Sequence, residues 1–217
     1  MLQGFEDTAD PSRGPARLAA LRALMAEEGL DAVLVPRTDR FQGEYVAPCD
    51  ERLAWLTGFT GSAGFAAVTA AEAGVFVDGR YRVQVRAQVA PEFTPVNWPE
   101  TKLGDWLAER LGAGQVVGFD PWLHAVEEVE ALERRLGPRG VGLRPLRDNP
   151  VDRLWEDRPA PSAAPFTAFP EEVAGESAAS KRARLAEGLR GPGERAVVLT
   201  LPDSVAWLLN VRGSDVR

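Results

Sequence analysis

The sequence predicts an α/β protein, one complete layered domain followed by a second, related copy that breaks off. Three observations predict it. Amphipathic helices alternate with short apolar runs as far as Asp152. A stretch rich in Pro, Ala and Ser, "DRPAPSAAPFTAFP" from Asp157 to Pro170, then interrupts the pattern without any apolar period. Beyond it the chain repeats Ala-Trp-Leu, a short variable stretch and Gly-Ser: "LAWLTGFTGSAG", Leu53 to Gly64, has a near-twin in "VAWLLNVRGSD", Val205 to Asp215. The expected organisation is a first domain over residues 1–156, a linker over 157–175 and the opening of a second domain over 176–217.

Taken in order, "PARLAALRALMAEEGL" from Pro15 puts Leu18, Leu21, Leu24 and Met25 on one helical face, with Pro15 in the first turn and Gly29 where a left-handed cap is wanted. "DAVLVP" is a short buried strand. "RTDRFQGEYVAPCDE" has no period and many turn formers, so it is a long loop of the kind that is usually functional or mobile. "GFAAVTA" and "AGVFVDG" are two strands joined by a tight turn at Ala71 to Gly74, and "RYRVQVRAQV" fits either a helix or an edge strand. "TKLGDWLAERLG" and "HAVEEVEALERRLG" are helices, each followed by an apolar run, "QVVGFD" and "GVGLRPL", that suits a strand. After the linker a helix and a strand begin again.

In that last segment Leu185 pairs with Leu21, Leu189 with Met25, Gly193 with Gly29, Ala196 with Ala32 and Val197 with Val33, all without a gap. The Trp motif pairs Trp207 with Trp55, Leu208 with Leu56, Gly213 with Gly61 and Ser214 with Ser62, after a shorter connecting loop. Helices of this composition recur by chance in Ala- and Leu-rich chains, so the Trp-containing part carries the case for a repeat. A domain of ordinary size needs more chain than the second copy supplies, and it is expected to be incomplete.

Composition excludes several functions. The 217 residues are 45% hydrophobic, enough for a real core, and 32 acidic against 25 basic residues give a net charge of -7. That field is wrong for a phosphate backbone, so no nucleic-acid partner is expected. No run approaches the ~20 apolar residues of a membrane span. "MLQGFEDTADPSRGP" lacks the basic-then-apolar order of a signal peptide. The expected location is the cytoplasm, with no membrane association, and the single cysteine, Cys49, agrees with it.

Residues that could carry chemistry have simpler readings. His124, the only histidine, sits in "PWLHAVEEVEAL" as a capping or solvated group in the first turn of a helix, with no ligand pattern around it. Glu127 and Glu128 form a solvated helix face. Cys49 lacks an activating base. "GFTGSAG" lacks the Lys-Ser/Thr ending of a phosphate loop, so its glycines are read as serving a tight turn between helix and strand. Trp55 and Trp207 are read as core anchors.

"EYVAPCDERLAWLTGFTGSAG", Glu44 to Gly64, and "FVDGRY", Phe76 to Tyr81, resemble the N-terminal domain of the aminopeptidase P group within the creatinase, prolidase and aminopeptidase P family. "DNPVDRLWEDRP" resembles the junction between the first two domains of the long, three-domain form, and "SVAWLLNVRGSDV" the opening of the second. The resemblance implies a creatinase-type N-terminal domain, ribonuclease H-like, with a mixed sheet and flanking helices, plus a truncated second copy. It also implies a separate catalytic domain that removes the residue preceding proline. There two manganese ions would be held by Asp, His and Glu ligands, so no cofactor is expected in this chain and the chain alone is expected to be inactive.

By the same resemblance this portion contributes to oligomerisation, expected as a homodimer, and covers a partner's cleft for peptide substrates. The candidate cleft or interface residues are Tyr45, Cys49, Asp50, Phe59, Thr60, Ser62 and Arg80, with pairing inside the domain as the simpler role for Arg80. Tyr45 and Phe59 are expected to act there without supporting the fold. The alternatives are a free-standing, non-catalytic peptide- or protein-binding module and a small-molecule-binding α/β domain.

Overall fold

The computed structural model describes residues 9–214. The first eight residues of the N-terminal stretch and Asp215 of the second Trp motif lie outside the described residues. The chain divides into two units, one made of Met1–Arg37 with Cys49–Pro159, the other of Thr38–Pro48 with Ala160–Arg217.

In the first unit α1 (Gly14–Glu27) buries Leu18, Leu21, Leu24 and Met25, the face its spacing predicts, and Gly29 follows at φ 61°. The order continues β1 (Ala32–Pro36), α2 (Arg52–Thr57), β2 (Phe65–Thr69), β3 (Ala73–Val77), α3 (Gln84–Gln88), β4 (Thr94–Asn97), α4 (Leu103–Arg110), β5 (Val116–Phe119), α5 (Val126–Leu136), β6 (Gly142–Pro145) and α6 (Pro150–Leu154). The strands form a mixed six-stranded sheet in the order β4-β3-β2-β1-β5-β6, in which β2 alone runs against its neighbours.

Strand alternation divides the core between the two faces of the sheet. Val33 and Val35 pack with Leu18, Leu21, Leu53, Leu56 and Val151 of α1, α2 and α6. Ala32 and Leu34 pack with Trp106, Leu107, Leu132 and Leu136 of α4 and α5. Two local readings are corrected. The turn expected at Ala71 to Gly74 lies earlier, because Ala73 and Gly74 already pair with Val68 and Ala67 in the ladder. The undecided stretch "RYRVQVRAQV" becomes α3, with Val85 buried and Val83 exposed.

The second unit contains β7 (Thr167–Ala168), α7 (Glu171–Ala174), α8 (Ala178–Arg190), α9 (Pro202–Leu209) and β8 (Val211–Arg212), with β7 antiparallel to β8. β7 and α7 fall within residues 157–175, the expected linker. Helix, cap and Trp helix of the repeat recur. Gly193 takes φ 79° where Gly29 takes 61°, and Asn210 closes α9 at φ 51° where Gly58 closes α2 at 85°.

The second-copy strand does not form. Residues 194–201 are irregular, and Val197 and Val198 are 54% and 84% exposed. In the first copy β1 draws its hydrogen bonds from β2 and β5, and the described residues of the second unit hold no counterpart of either. Nor is either tryptophan a buried anchor: Trp55 is half-buried and Trp207 exposed. Each lies under a cation instead, Arg17 at 4.4 Å and Lys181 at 4.6 Å from the ring centroid.

Candidate functional site

Five of the six strands of the first unit point the same way, so the connections leaving them collect at one end of the sheet. That is where layered α/β folds present binding groups. At this end α2 closes on itself: Thr57 Oγ1 donates to Leu53 O at 2.7 Å and accepts from Phe59 N at 3.1 Å. Gly58 follows in the left-handed region, where a Cβ would lie 2.6 Å from the carbonyl oxygen of Gln88. A Cβ on Gly61 would lie 2.2 Å from the Phe59 ring. Only glycine fits either place.

The turn so built is tied to α3. Thr60 N donates to Gln88 Oε1 at 3.0 Å, and Gln88 Nε2 donates to Thr60 Oγ1 at 3.0 Å. Phe59 is 1% exposed and meets the ring of Tyr81 edge-on at 5.7 Å. Ser62 Oγ and the Tyr81 hydroxyl share a hydrogen bond of 2.5 Å. Arg80 forks onto Asp78 and lies over the Tyr81 ring at 5.0 Å, and its hydrogen bonds hold the Asp78 carboxyl below the usual range. Arg37 Nη1 donates to Ser62 O at 2.9 Å while Nη2 pairs with Glu51 Oε1 at 3.0 Å. Burial raises the Glu51 carboxyl, a rise that the Arg37 charge opposes.

Cys49 and Asp50 belong to a second cluster. Arg52, buried, forks onto Asp152 at 2.7 and 2.9 Å and lies 3.0 Å from Asp50. Arg158 reaches Asp152 at 2.6 Å and Asp50 at 3.2 Å and donates to Cys49 O at 2.7 Å. The network clasps α2 to the end of α6. Burial, with Asp50 beside it, pushes the Cys49 thiol up and away from the reactive thiolate.

The structure therefore brings Phe59, Thr60, Ser62 and Arg80 together and puts Cys49 and Asp50 in the clasp. Tyr45 lies exposed in the other unit, in a loop whose start is fixed by Asp39 accepting from Phe41 N at 2.8 Å and Gly43 N at 3.2 Å. Sequence reasoning missed Gln88, Tyr81 and Arg37. The four-residue spacing of Gln84 and Gln88 was the available signal, and it needed the helix to be recognised first.

His124 precedes α5 rather than lying in its first turn, since Ala125 is the N-cap. Its ring is almost wholly buried edge-on to Phe119 at 5.7 Å, and burial lowers its pKa against the pull of Glu128 and Asp120. Glu128 closes the helix start by accepting from Ala125 N at 3.0 Å. Among the described residues no group of three His, Cys, Asp or Glu side chains could hold a metal ion.

Residues 17–148 match the family model described as the Creatinase/Prolidase N-terminal domain, and residues 157–217 match a second model of the same description. The chain is 40% identical over 213 residues to a probable Xaa-Pro aminopeptidase P of Chaetomium globosum, covering 93% of this chain and 33% of that protein. It is 38% identical over 219 residues to another of Paracoccidioides lutzii, covering 97% and 34%. It thus spans about a third of the length of these curated relatives.

Among solved structures, the X-prolyl aminopeptidase of Caenorhabditis elegans, described as a cytosolic enzyme with a di-nuclear active site, superposes with a TM-score of 0.87 at 34% identity. The match covers 94% of this chain and 35% of that one. The N-terminal domain of the cytoplasmic peptidase PepQ of Mycobacterium tuberculosis gives 0.50 at 31% identity, covering 64% and 98%.

Proposed function

Because the chain belongs to the creatinase/prolidase family, as an N-terminal domain of that family, we propose that it is the non-catalytic N-terminal portion of a metal-dependent Xaa-Pro aminopeptidase. Its work there is oligomerisation and covering of the substrate cleft. The observation that carries this reading is the match of nearly the whole chain to about a third of an X-prolyl aminopeptidase.

The chemistry would sit in the other two thirds. A dinuclear centre, which we expect to hold manganese, needs several carboxylates and usually an imidazole in one cavity. Here the one imidazole is walled in beside Phe119. What this chain supplies is shape: a rigid turn carrying Thr60 and Ser62, the Arg80 fork beside it and the loop with Tyr45 are the groups offered to a partner protomer and its peptide. No described helix is long and apolar enough to cross a membrane, and we place the protein in the cytoplasm, as its nematode relative is described.

The purified 217-residue chain is expected to release no N-terminal residue from a Xaa-Pro peptide with added manganese. A chain extended to the length of the relatives should do so. Manganese-dependent release by the short chain above a metal-free control overturns the division of roles. An active long enzyme whose KM and kcat ignore Ser62→Ala and Arg80→Ala overturns the cleft assignment alone.

A further inference from the structure

The cation that lies over each repeat tryptophan also borders a cavity. In the first unit Arg17 and Trp55 line one of about 580 Å³, with Arg13, Glu156 and Asp157 beside them. Two cations and two acids share it, so the chain balances that site by itself. In the second unit Lys181 and Trp207 line a cavity of about 370 Å³, inside the range of small-molecule sites, about 300–1,000 Å³. Its charged residues are Lys181, Arg212 and Asp203, which leaves one positive charge over.

Among the described residues none of these three forms an ion pair. Lys181 is buried, and its Nζ gives two of its three N–H groups to neutral acceptors, Trp207 O and Asn210 Oδ1. A buried charge without a counter-charge is costly. The Arg212 guanidinium lies over the Phe169 ring at 4.6 Å, stacked but not neutralised. The other cation near the Trp207 ring, Arg184, is already paired with Glu176.

The charges are set apart along α9. Asp203 stands in its first turn, and Asn210, which holds Lys181, closes it; at about 1.5 Å per residue the two are about 10 Å apart along the axis. Arg212 lies just beyond Asn210. Ala206 and Trp207 share the stripe of the helix between the two ends, and Phe169 and Val173 add an apolar wall. A single amino acid carries its ammonium and carboxylate on one carbon and cannot reach both ends. Two or three residues of extended peptide, at about 3.3–3.6 Å each, can.

We propose that this cavity binds a short peptide with both ends free, two or three residues long and apolar in its side chains. Its ammonium sits on Asp203, and its carboxylate on Arg212 and the remaining N–H of Lys181. Every lining residue belongs to the second unit, so the site is separate from the turn and fork offered to the cleft.

The probe is the dipeptide Leu-Leu, titrated calorimetrically into the purified chain, and it should bind with a Kd of about 1 mM or tighter. N-acetyl-Leu-Leu and Leu-Leu amide each lack one terminal charge and should bind about tenfold more weakly or worse, as should free leucine. Arg212→Gln should erase the preference for the free carboxylate and keep that for the free ammonium. Asp203→Asn should do the reverse. Both side chains are exposed, so circular dichroism should not change in either variant. Wild type that takes up no Leu-Leu at about 10 mM overturns the proposal, and so does binding that ignores the blocked ends. End-dependent binding that both variants leave unchanged overturns the assignment to this cavity.

Discussion

Phe59 shows how a residue can be picked out by sequence and given the wrong role. The expectation was a replaceable interface group, yet its ring is buried against Tyr81 and fills the space that Gly61 leaves by having no Cβ. Phe59→Ala should cost about 3–5 kcal/mol, the range for a fully buried aromatic, and would be read as lost protein rather than altered activity. Thr60→Ala, on the same turn, leaves the core and the backbone N–H bond to Gln88 intact and strips only the hydroxyl's hydrogen bonds with Gln88 and Gln84, about 1–2 kcal/mol in all. Urea unfolding of the two variants should therefore give midpoints far apart. Equal losses would mean that Phe59 is not the keystone of the turn. Burial was not legible at this position, because Gly-Phe-Thr-Gly-Ser has no period and the partners Tyr81 and Gln88 come from an element the sequence left undecided.

Elements were legible wherever periodicity and packing agreed. α1 buries the four apolar residues its spacing selects, β1 and β5 appear where short apolar runs stand between helices, and β2 and β3 where two such runs are joined by a tight turn. β4 escaped because "TPVN" has neither alternation nor a continuous apolar run, and its Pro95 is tolerable only because the strand is an edge. α3 was ambiguous because Val83 and Val85 sit two apart as on a strand, whereas only Val85 is buried. The repeat was read from Leu, Gly and Trp, but its best-kept feature is a cation the pairing did not single out. Arg17 Nη1 donates to Trp55 O in the first copy, and Lys181 Nζ donates to Trp207 O at 2.9 Å in the second, each lying over the ring whose carbonyl it binds. Lys181 also donates to Asn210 Oδ1 at 2.6 Å and is 2% exposed. Lys181→Met should take the charged donor from both acceptors, leaving Trp207 O only the long bond from Asn210 N, and speed amide exchange across α9 about tenfold or more, from a loss of roughly 1–3 kcal/mol. Lys181→Arg should keep protection near wild type, since the first copy already uses arginine. Indifference to Met would show the clasp to be a coincidence of the repeat.

At the scale of the whole chain the two units differ in kind. Every apolar side chain in the buried core belongs to the first unit, and the buried residues of the second among those described are Asp39 and Lys181. Apolar burial is the main favourable term in folding, and a unit without it must rely on hydrogen bonds whose net worth is about 1 kcal/mol each. The second unit has such bonds, Lys181 to Asn210 and Asn210 Nδ2 to Glu176 O at 2.9 Å among them, yet the segment that should be its central strand is left as exposed valines. Local opening should therefore be frequent there and rare in the first unit, whose sheet carries core on both faces. Brief digestion with a protease of broad specificity should cut first within residues 160–166 and 194–201, both without regular structure, and leave a resistant fragment ending near Pro159. That fragment should melt at the temperature of the intact chain, because the portion removed adds nothing to the cooperative core. Protection of residues 194–201 equal to that of β1, or a fragment that melts well below the parent, would show that the second copy folds as fully as the first.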